Sequence, residues 1–263
     1  MAKGVISLDT YMMKLSVVVL TLNEEKVLEE CLQSIKWVDE LIIIDSGSID
    51  KTLEIARKYT KKIFRRKLDS FAKQRNFGFR KTKGEWILYI DADERVSKNL
   101  RREIQITIKE NKYSAYRMAR ENYFFGKRVR YGGYWPDYVT RLFERRNFKK
   151  WTGEIHESPE FQGELGELKK PLIHFSHRSL EASLQKSIRW TKMEAGLFYK
   201  VNHPPVSWWR LFRVFLSEFL RRLVKLQGFR DGMVGLIEAW MQGFNRLLVY
   251  IYLWEMQQQE SQE

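Results

Sequence analysis

Short apolar runs that alternate with helical stretches constrain the fold of this chain more than any other feature. In the first ninety residues the runs are 15–20, 41–44, 63–64 and 86–90, and helices are predicted at 23–35, from 50 and at 70–80. The runs are rich in Val, Ile and Leu, which is typical of parallel strands that are buried on both faces. Strand–helix alternation at this spacing predicts an α/β fold with a doubly wound, mostly parallel sheet.

The pattern changes after about residue 110, and the change predicts how the chain is divided. Strands are predicted at 113–120, 139–144 and 172–175, and the sequence is helical in pattern from residue 179 onward. We therefore expect a loose leader at 1–13, an α/β domain at 14–178 with halves at 14–110 and 111–178, and a C-terminal helical extension at 179–263.

The charge balance narrows the range of partners. The chain has 263 residues with 47 Lys and Arg against 33 Asp and Glu, so its formal net charge is +14 and its pI is about 9.7. Such a surface favours polyanions, which include nucleic acid, acidic lipid headgroups and phosphorylated substrates. The single cysteine, Cys31, excludes an internal disulfide and fits a reducing compartment.

Polar residues follow three of the four predicted strands. They are Thr21, Asn23 and Glu24 after the first, Asp45, Ser46 and Gly47 after the second, and Asp91 and Asp93 after the fourth. Each group by itself is typical of turns and helix caps. The carboxyl ends of parallel strands meet at one edge of a sheet, however, and ligands bind there. Their joint placement predicts a ligand site.

Asp91 and Asp93 carry the most specific chemistry in this set. Two carboxylates at a strand end are hard oxygen ligands that suit Mg²⁺ or Mn²⁺ with a substrate phosphate, although a pair of solvated acids in a turn has the same pattern. The sequence lacks a Gly-x-x-x-x-Gly-Lys-Ser/Thr motif, which excludes a P-loop. It also lacks a Gly-x-Gly-x-x-Gly motif after the first strand, which argues against a dinucleotide site.

Seven segments resemble one enzyme family. In the first half, 16–25 (SVVVLTLNEE), 45–52 (DSGSIDKT), 74–78 (QRNFG) and 84–94 (GEWILYIDADE) resemble the family-2 glycosyltransferases, which have the GT-A fold. In the second half, 132–137 (GGYWPD), 141–143 (RLF) and 153–157 (GEIHE) resemble the bacterial branch with the WaaE/KdtX-type lipopolysaccharide core β-glucosyltransferases. The resemblance covers about residues 14–254. It implies a nucleotide-sugar half at 14–110 and an acceptor half at 111–178.

The resemblance also implies roles for individual residues. The nucleotide pocket is expected to contain Thr21, Asn23, Glu24, Asp45, Ser46 and Gly47, with Asp45 accepting hydrogen bonds from the uracil or ribose. Arg75 and Asn76 are expected to face the diphosphate or to close the pocket, and a guanidinium does match phosphate oxygens. Asp91 is expected to contact the ribose or sugar, and Asp91 and Asp93 are expected to hold Mn²⁺ or Mg²⁺.

The family resemblance implies an inverting in-line displacement in which a carboxylate takes the proton of the acceptor hydroxyl. Many members place this base in a Glu-Asp pair, which the acceptor half lacks. Asp137 is the closest positional match, and Glu154 and Glu157 are the alternatives. His156 is either a third metal ligand or a structural histidine.

The C-terminal part combines apolar and basic residues. Residues 208–226 have a broad apolar face with a basic stripe of Arg210, Arg213, Arg221 and Lys225. This pattern is typical of a helix that lies in a membrane interface, where basic side chains attract anionic headgroups. Residues 233–254 are also apolar, but Glu238 and Arg246 make a membrane span costly. We expect a membrane-associating extension; an ordinary helical cap or an oligomer interface is the alternative.

Together these features predict a metal-dependent, inverting glycosyltransferase. It is expected to move a sugar, with glucose favoured, from a UDP-sugar to a membrane glycolipid acceptor such as the lipopolysaccharide inner core. We expect a peripheral protein on the anionic, cytoplasmic face of the bacterial inner membrane, with no nucleic-acid partner and with homo-oligomerisation left open. A nucleic-acid-binding protein would explain neither the acidic strand ends nor the apolar C-terminal helices. The alternative is a membrane-associated protein that binds a nucleotide-sugar or polyanion without transfer.

Overall fold

The computed structural model describes residues 15–153, 157–176 and 179–260, so the predicted leader at 1–13 lies outside the described residues. The strands are β1 (Leu15–Thr21), β2 (Glu40–Asp45), β3 (Ile63–Arg65), β4 (Trp86–Asp91), β5 (Glu94–Arg95), β6 (Ala115–Phe124), β7 (Lys127–Arg128), β8 (Asp137–Glu144), β9 (Phe148–Thr152), β10 (Ser158–Phe161) and β11 (Leu165–Phe175). The α-helices are α1 (Leu28–Ile35), α2 (Thr52–Arg57), α3 (Phe71–Lys81), α4 (Lys98–Glu110), α5 (Leu180–Lys200), α6 (Trp208–Leu220) and α7 (Gly232–Glu260). A π-helical turn (Arg221–Lys225) and a 3₁₀ turn (Gly228–Asp231) separate α6 from α7.

The first half of the chain forms a parallel sheet around β1. Strands β2 and β4 flank β1, and β3 lies outside β2. Val18 of β1 is in register with Ile42 of β2 and Tyr89 of β4, and all three are buried. Helices α1, α2 and α4 cover one face of this sheet, and α3 covers the other. The predicted doubly wound, mostly parallel α/β sheet is confirmed.

The second half extends the same sheet in mixed directions. The order is β3-β2-β1-β4-β8-β6-β11-β5, with β7 paired to β6. Strand β8 runs antiparallel to β4 and β6, whereas β11 runs parallel to β6. Arg120 of β6 is therefore in register with Asp137, and Asn122 of β6 is in register with His174 of β11. These residues lie at the edge where β4 ends, which is where the sequence predicts a ligand site.

Helix α4, the β9–β10 hairpin and the two-residue strands β5 and β7 are not among the predicted elements. Helix α4 follows Ser97, whose hydroxyl accepts a hydrogen bond from the backbone N–H of Leu100 at 3.1 Å. Its buried stripe consists of Leu100, Ile104 and Ile108 at i, i+4 spacing, which is a helix signal that the surrounding charged residues obscure. The hairpin packs Trp151 against the face of the sheet that α3 covers.

Helix α7 packs against both α5 and α6. Gly243 of α7 permits a close approach, since a Cβ there would lie 3.1 Å from the ring of Phe215 in α6. The helices also contact the α/β part, where Phe71 and Trp190 stack with ring centroids 5.6 Å apart. Within the described residues, none of the helices has the length and apolar character needed to cross a membrane. The division of the chain at residue 178 stays a prediction.

Candidate active site

The carboxylate of Asp91, at the end of β4, is held between two guanidinium groups. Nη2 of Arg75 lies 2.9 Å from Oδ1, and Nη2 of Arg141 donates to Oδ2. Burial alone would raise the pKa of Asp91, but the charges of Arg141 and Arg75 hold it well below its usual range. Asp91 is therefore ionised, and charge-assisted hydrogen bonds occupy both of its oxygens.

Arg75 connects α3 with β4 and the β9–β10 hairpin. Helix α3 is capped by Ser70, whose hydroxyl accepts a hydrogen bond from the backbone N–H of Lys73 at 3.2 Å. Arg75 lies on the buried face of this helix and is 2% exposed. Its Nε lies 3.2 Å from Oε1 of Glu157, and its guanidinium carbon lies 5.1 Å from the ring centre of Trp151. Its Nη1 is buried and has no hydrogen-bond partner among the described residues, which leaves a donor for a ligand oxygen.

Glu94 forms a buried support beneath the end of β4. Its Oε2 accepts a hydrogen bond from the backbone N–H of Asp91 at 2.9 Å, and its Oε1 lies 3.1 Å from Nη2 of Arg141. Burial raises the pKa of Glu94 above its usual value. Together Asp91 and Glu94 fix the position of Arg141 under the strand end.

A chain of polar contacts leads from Asp93 to Asp137. Oδ2 of Asp93 lies 3.5 Å from Nε2 of His174, and Nδ1 of His174 lies 2.7 Å from Oδ1 of Asn122. Nδ2 of Asn122 donates to Oδ2 of Asp137 at 3.2 Å and to the carbonyl of Tyr134 at 3.1 Å. Burial would raise the pKa of Asp93, but the hydrogen bond and the charge that a protonated His174 ring supplies hold it below its usual value. This chain joins β4, β11, β6 and β8.

The amide of Asn122 determines the tautomer of His174. Because its NH₂ group donates to two oxygen atoms, its oxygen faces Nδ1, and Nδ1 therefore carries the ring proton. In the neutral ring, Nε2 presents a lone pair to the Asp93 carboxylate at 3.5 Å. Two acceptors at this distance require a proton or a metal cation between them. A carboxylate and an imidazole oriented by a second partner therefore fit a divalent cation.

Asp91 and His156 are the other predicted metal ligands. Asp91 faces Arg75 and Arg141, and His156 lies outside the described residues, as does Glu154. In the part of the chain that the structure describes, no cluster of three or more His, Cys, Asp or Glu side chains could hold a metal ion. A cation held by two protein ligands takes its remaining ligands from water and substrate phosphate, as is usual for Mg²⁺.

Asp137 is fixed through one of its two oxygens. Oδ2 lies 2.9 Å from Nε and 2.7 Å from Nη2 of Arg120, in addition to its contact with Asn122. Oδ1 accepts no hydrogen bond from the residues that the structure describes, and the side chain is 28% exposed. The clamp orients the carboxylate and leaves one oxygen for a substrate proton. The alternative base Glu157 is bound to Arg75 and is 20% exposed.

The loops that follow β1 and β2 are bound together around Asp45. This carboxylate is fully buried, and its Oδ2 accepts from the backbone N–H groups of Gly47 and Ser48, both at 3.0 Å. Its Oδ1 lies 3.2 Å from the hydroxyl of Thr21, and the backbone N–H of Asn23 donates to Oγ of Ser48 at 2.9 Å. Gly47 has a φ of +104°, and an added Cβ there would meet no atom within 4 Å. Asp45 therefore holds the two loops together from their buried side, while Gly47 lies on the side where an added Cβ would meet no other atom.

Three more of the predicted residues have defined places. Glu24 and Ser46 lie in the same two loops. The backbone N–H of Glu24 donates to the hydroxyl of Thr52 at 2.7 Å, and the hydroxyl of Ser46 accepts from Nε2 of Gln74 at 3.3 Å. Nδ2 and Oδ1 of Asn76 bind the backbone carbonyl and N–H of Trp151, both at 2.8 Å. Asn76 thus holds the β9–β10 hairpin on α3, a placement that differs from the expected one at a diphosphate.

Sequence patterns missed several residues of this cluster. Glu94, Arg120, Asn122 and His174 are not among the predicted site residues. Asn122 and His174 are 52 residues apart in sequence, so no local motif connects them. A usable signal is that each is a polar residue near the end of a strand, as Asp91 is.

Comparisons with known proteins agree with the sequence motifs. Residues 16–163 match glycosyl transferase family 2. The lipopolysaccharide core biosynthesis glycosyltransferase LpsC of Rhizobium meliloti (strain 1021) is 26% identical over 250 residues, which cover 86% of this chain and 89% of that protein. An uncharacterized glycosyltransferase of Rickettsia bellii (strain RML369-C) is 29% identical over 251 residues, with coverage of 84% and 82%. The crystal structure of TarS 1–349 from S. aureus in complex with UDP has a TM-score of 0.47 and 15% identity, with coverage of 94% and 92%. Because the family match spans more than half of the chain, the chain belongs to glycosyl transferase family 2 and is a glycosyltransferase, and its α/β sheet agrees with the GT-A fold that the resemblance implies.

Proposed function

We propose that this enzyme transfers a sugar, with glucose favoured, from a UDP-sugar to a membrane glycolipid such as the lipopolysaccharide inner core. The polar chain from Asp93 through His174 and Asn122 to Asp137 carries the proposal, because it links a cation site to a candidate base. The relative LpsC, named for lipopolysaccharide core biosynthesis, covers most of both chains and supports the acceptor class.

The donor nucleotide would lie between the loops after β1 and β2. The residues expected there are Thr21, Asn23, Glu24, Ser46 and Gly47, with Asp45 supporting the loops from below. Arg75 binds Asp91 at this strand edge through Nη2, and its unpartnered Nη1 would suit a diphosphate or ribose oxygen. Asp91 would then position Arg75 and contact the ribose or sugar through its exposed side.

Asp93 and His174 would hold a Mn²⁺ or Mg²⁺ ion in the bound state. The ion would neutralise the negative charge that develops on the leaving diphosphate. Asn122 orients His174 for this role, and the guanidinium groups of Arg75 and Arg141 keep Asp91 ionised beside it.

Asp137 would act as the general base. Its unengaged Oδ1 would remove the proton from an acceptor hydroxyl, whose oxygen would form a bond to the anomeric carbon while the bond from that carbon to the diphosphate oxygen breaks. UDP would leave from the opposite face, so the configuration at the anomeric carbon inverts. Glu157 and Glu154 are the alternative bases.

The test is a UDP-release assay with a panel of nucleotide-sugars, with and without Mn²⁺, in the presence of membrane glycolipid. We expect turnover of one donor that depends on both the metal and the acceptor. If no donor is turned over while nucleotide-sugar binding persists, the protein is a nucleotide-sugar-binding protein without transfer activity, and the proposal is wrong.

We also infer where the reaction takes place. The net charge of +14 favours an anionic surface, and a buried, unpaired Cys31 fits a reducing compartment. Both support a peripheral protein at the cytoplasmic face of the bacterial inner membrane, where a lipid-linked acceptor would be presented. Light scattering after size-exclusion chromatography would determine whether it is a homo-oligomer.

A further inference from the structure

One side of α6 carries a row of exposed apolar side chains. Trp208, Phe212, Leu216 and Leu220 follow at i, i+4 spacing and are 75%, 73%, 52% and 45% exposed. Val224, four residues further on, is 58% exposed. Single exposed apolar residues are ordinary on a protein surface, but a contiguous row of large ones marks an interaction surface.

The apolar surface continues onto the turn that follows α6 and onto α7. Phe229 and Met233 are 58% and 67% exposed. Trp240 of α7 is 55% exposed, and its ring lies 5.2 Å from that of Phe215 and 5.5 Å from that of Phe219 in α6. The two helices therefore present one joint surface, and we call the exposed apolar residues of segment 208–240 the α6–α7 face.

Unpaired basic residues accompany the α6–α7 face. Segment 208–233 contains six Lys or Arg and two Asp or Glu. Glu218 is already bound to Arg221 and Arg222, at 2.7 and 2.8 Å. Arg213 and Lys225 are exposed, and neither forms an ion pair with a carboxylate within the described residues. Exposed aromatic residues among free cations suit the headgroup region of an anionic bilayer.

The same segment is attached to the acceptor side of the candidate site. The loop at 130–136 leads directly to Asp137. The carboxylate of Asp231 accepts hydrogen bonds from two backbone N–H groups of this loop, the shorter at 2.8 Å. Nη1 of Arg222 donates to the carbonyl of Gly132, also at 2.8 Å. The α6–α7 face and the acceptor loop therefore belong to one hydrogen-bonded assembly.

We propose that the α6–α7 face docks on the surface of an anionic phospholipid bilayer and thereby holds the acceptor side of the cleft at the lipid. The role of docking in presenting the acceptor rests on the proposed function, in which the acceptor is lipid-linked. The docking itself does not depend on the identity of the acceptor. A second copy of the chain is a poorer occupant, because a two-fold interface on this face would bring Arg213 and Lys225 against the same basic row of the partner.

The first test measures co-sedimentation with phosphatidylcholine vesicles, with and without phosphatidylglycerol, in the absence of donor sugar. We expect binding to the anionic vesicles that weakens as salt rises. The double variant Arg213→Glu/Lys225→Glu and the single variant Phe212→Ser should each reduce binding by about tenfold or more. Ile106→Ser is the matched control, since Ile106 is 47% exposed on α4 and outside the face.

A second test reports the docked side directly, through a dye at one exposed position of the face. Cys31 is buried and burial raises the pKa of its thiol, so a cysteine introduced at the surface can be labelled selectively. An environment-sensitive dye on Met233→Cys should shift to the blue with anionic vesicles, whereas the same dye on Ile106→Cys should not.

Two results would overturn the docking proposal. One is the absence of wild-type binding to anionic vesicles. The other is a stable dimer that Phe212→Ser dissociates, which would assign the face to a second copy. UDP-sugar binding in vesicle-free solution tests the donor site separately, so failure of docking and failure of the proposed function can be distinguished.

Discussion

Nε2 of His174 faces Oδ2 of Asp93 at 3.5 Å, across the ends of β11 and β4. Because Asn122 fixes the ring proton on Nδ1, the facing atoms are both acceptors when the ring is neutral. The Asp93 carboxylate and the neutral imidazole would repel each other at this distance, so a positive charge between them is needed to stabilise the arrangement. We therefore propose this pair as the cation site, whereas the sequence predicts Asp91 and Asp93, and Asp91 is bound by Arg75 and Arg141.

Replacement of either residue of this pair should remove metal-dependent donor binding. For Asp93→Ala and His174→Ala, we expect titration calorimetry with UDP to show no gain in affinity on addition of Mn²⁺, because one of the two protein ligands is lost. His203→Gln is the matched control, since His203 contacts the carbonyl of Pro204 and stacks on Phe198 in the helical part. If His174→Ala keeps the metal dependence of the wild-type protein, the assignment of His174 as a metal ligand is wrong, and His156 becomes the alternative ligand to test.

Loss of the orienting amide should weaken the same site without removing a ligand. In Asn122→Ala, Nδ1 of His174 loses its partner and Asp137 loses one of its donors. We expect the Mn²⁺ concentration needed for half-maximal activity to rise by about 10- to 100-fold, as is typical when the second partner of a metal-binding histidine is removed. A lower kcat with an unchanged Mn²⁺ requirement would show that Asn122 acts on Asp137 alone.

Removal of the base should separate binding from chemistry. Asp137→Asn keeps the shape of the side chain but cannot accept the proton, so UDP-sugar affinity should persist while kcat falls by about 10²- to 10⁴-fold. Glu157→Gln is the comparison, because Glu157 already binds Arg75 at 3.2 Å. The rate of single-turnover transfer, measured for both variants, decides whether Asp137 or Glu157 is the base. Full activity of Asp137→Asn would assign the role of general base to Glu157 or Glu154.

The strands of the first half could be predicted because each is a contiguous apolar run. Val18 illustrates this, since it is buried with β-strand neighbours on both sides and its residue type alone favours that environment. Helix α4 could not be recognised in the same way. Its buried apolar residues Leu100, Ile104 and Ile108 are separated by the triplets Arg-Arg-Glu and Gln-Ile-Thr, so the signal lies in their spacing and not in a run.

The candidate site was predictable in position but not in its pairings. The strand-end location of Asp91 and Asp93 follows from local pattern and the rule that ligands bind at that edge. The contact of Asn122 with His174 depends instead on the register of β6 and β11, which no local sequence feature fixes. For the same reason, the sequence could not show that Arg75 binds Asp91 and Glu157 at once.

The buried guanidinium of Arg75 should contribute strongly to stability. Arg75→Ala leaves Asp91 and Glu157 without one of their partners in a site where Arg75 itself is 2% exposed. Removing one member of a buried ion pair usually costs about 3–5 kcal/mol in the free energy of unfolding. Urea denaturation should show this loss, whereas Arg80→Ala, on the exposed side of α3, should change the free energy of unfolding by about 0.5 kcal/mol or less.

Two helix glycines should respond in opposite directions to the same substitution. A Cβ on Gly78 of α3 would lie 2.5 Å from Cγ1 of Val18 in the central strand β1, so Gly78→Ala must displace packed side chains. Overpacking of this kind costs about 1–3 kcal/mol. Gly196 of α5 has no atom within 4 Å of an added Cβ, so Gly196→Ala should raise the free energy of unfolding by about 0.5–1 kcal/mol, through the better helix propensity of alanine. Urea midpoints measured side by side test the pair. Because the chemical change is identical, a rise of both midpoints would contradict the close contact between α3 and β1, and a fall of both would contradict the open space at Gly196.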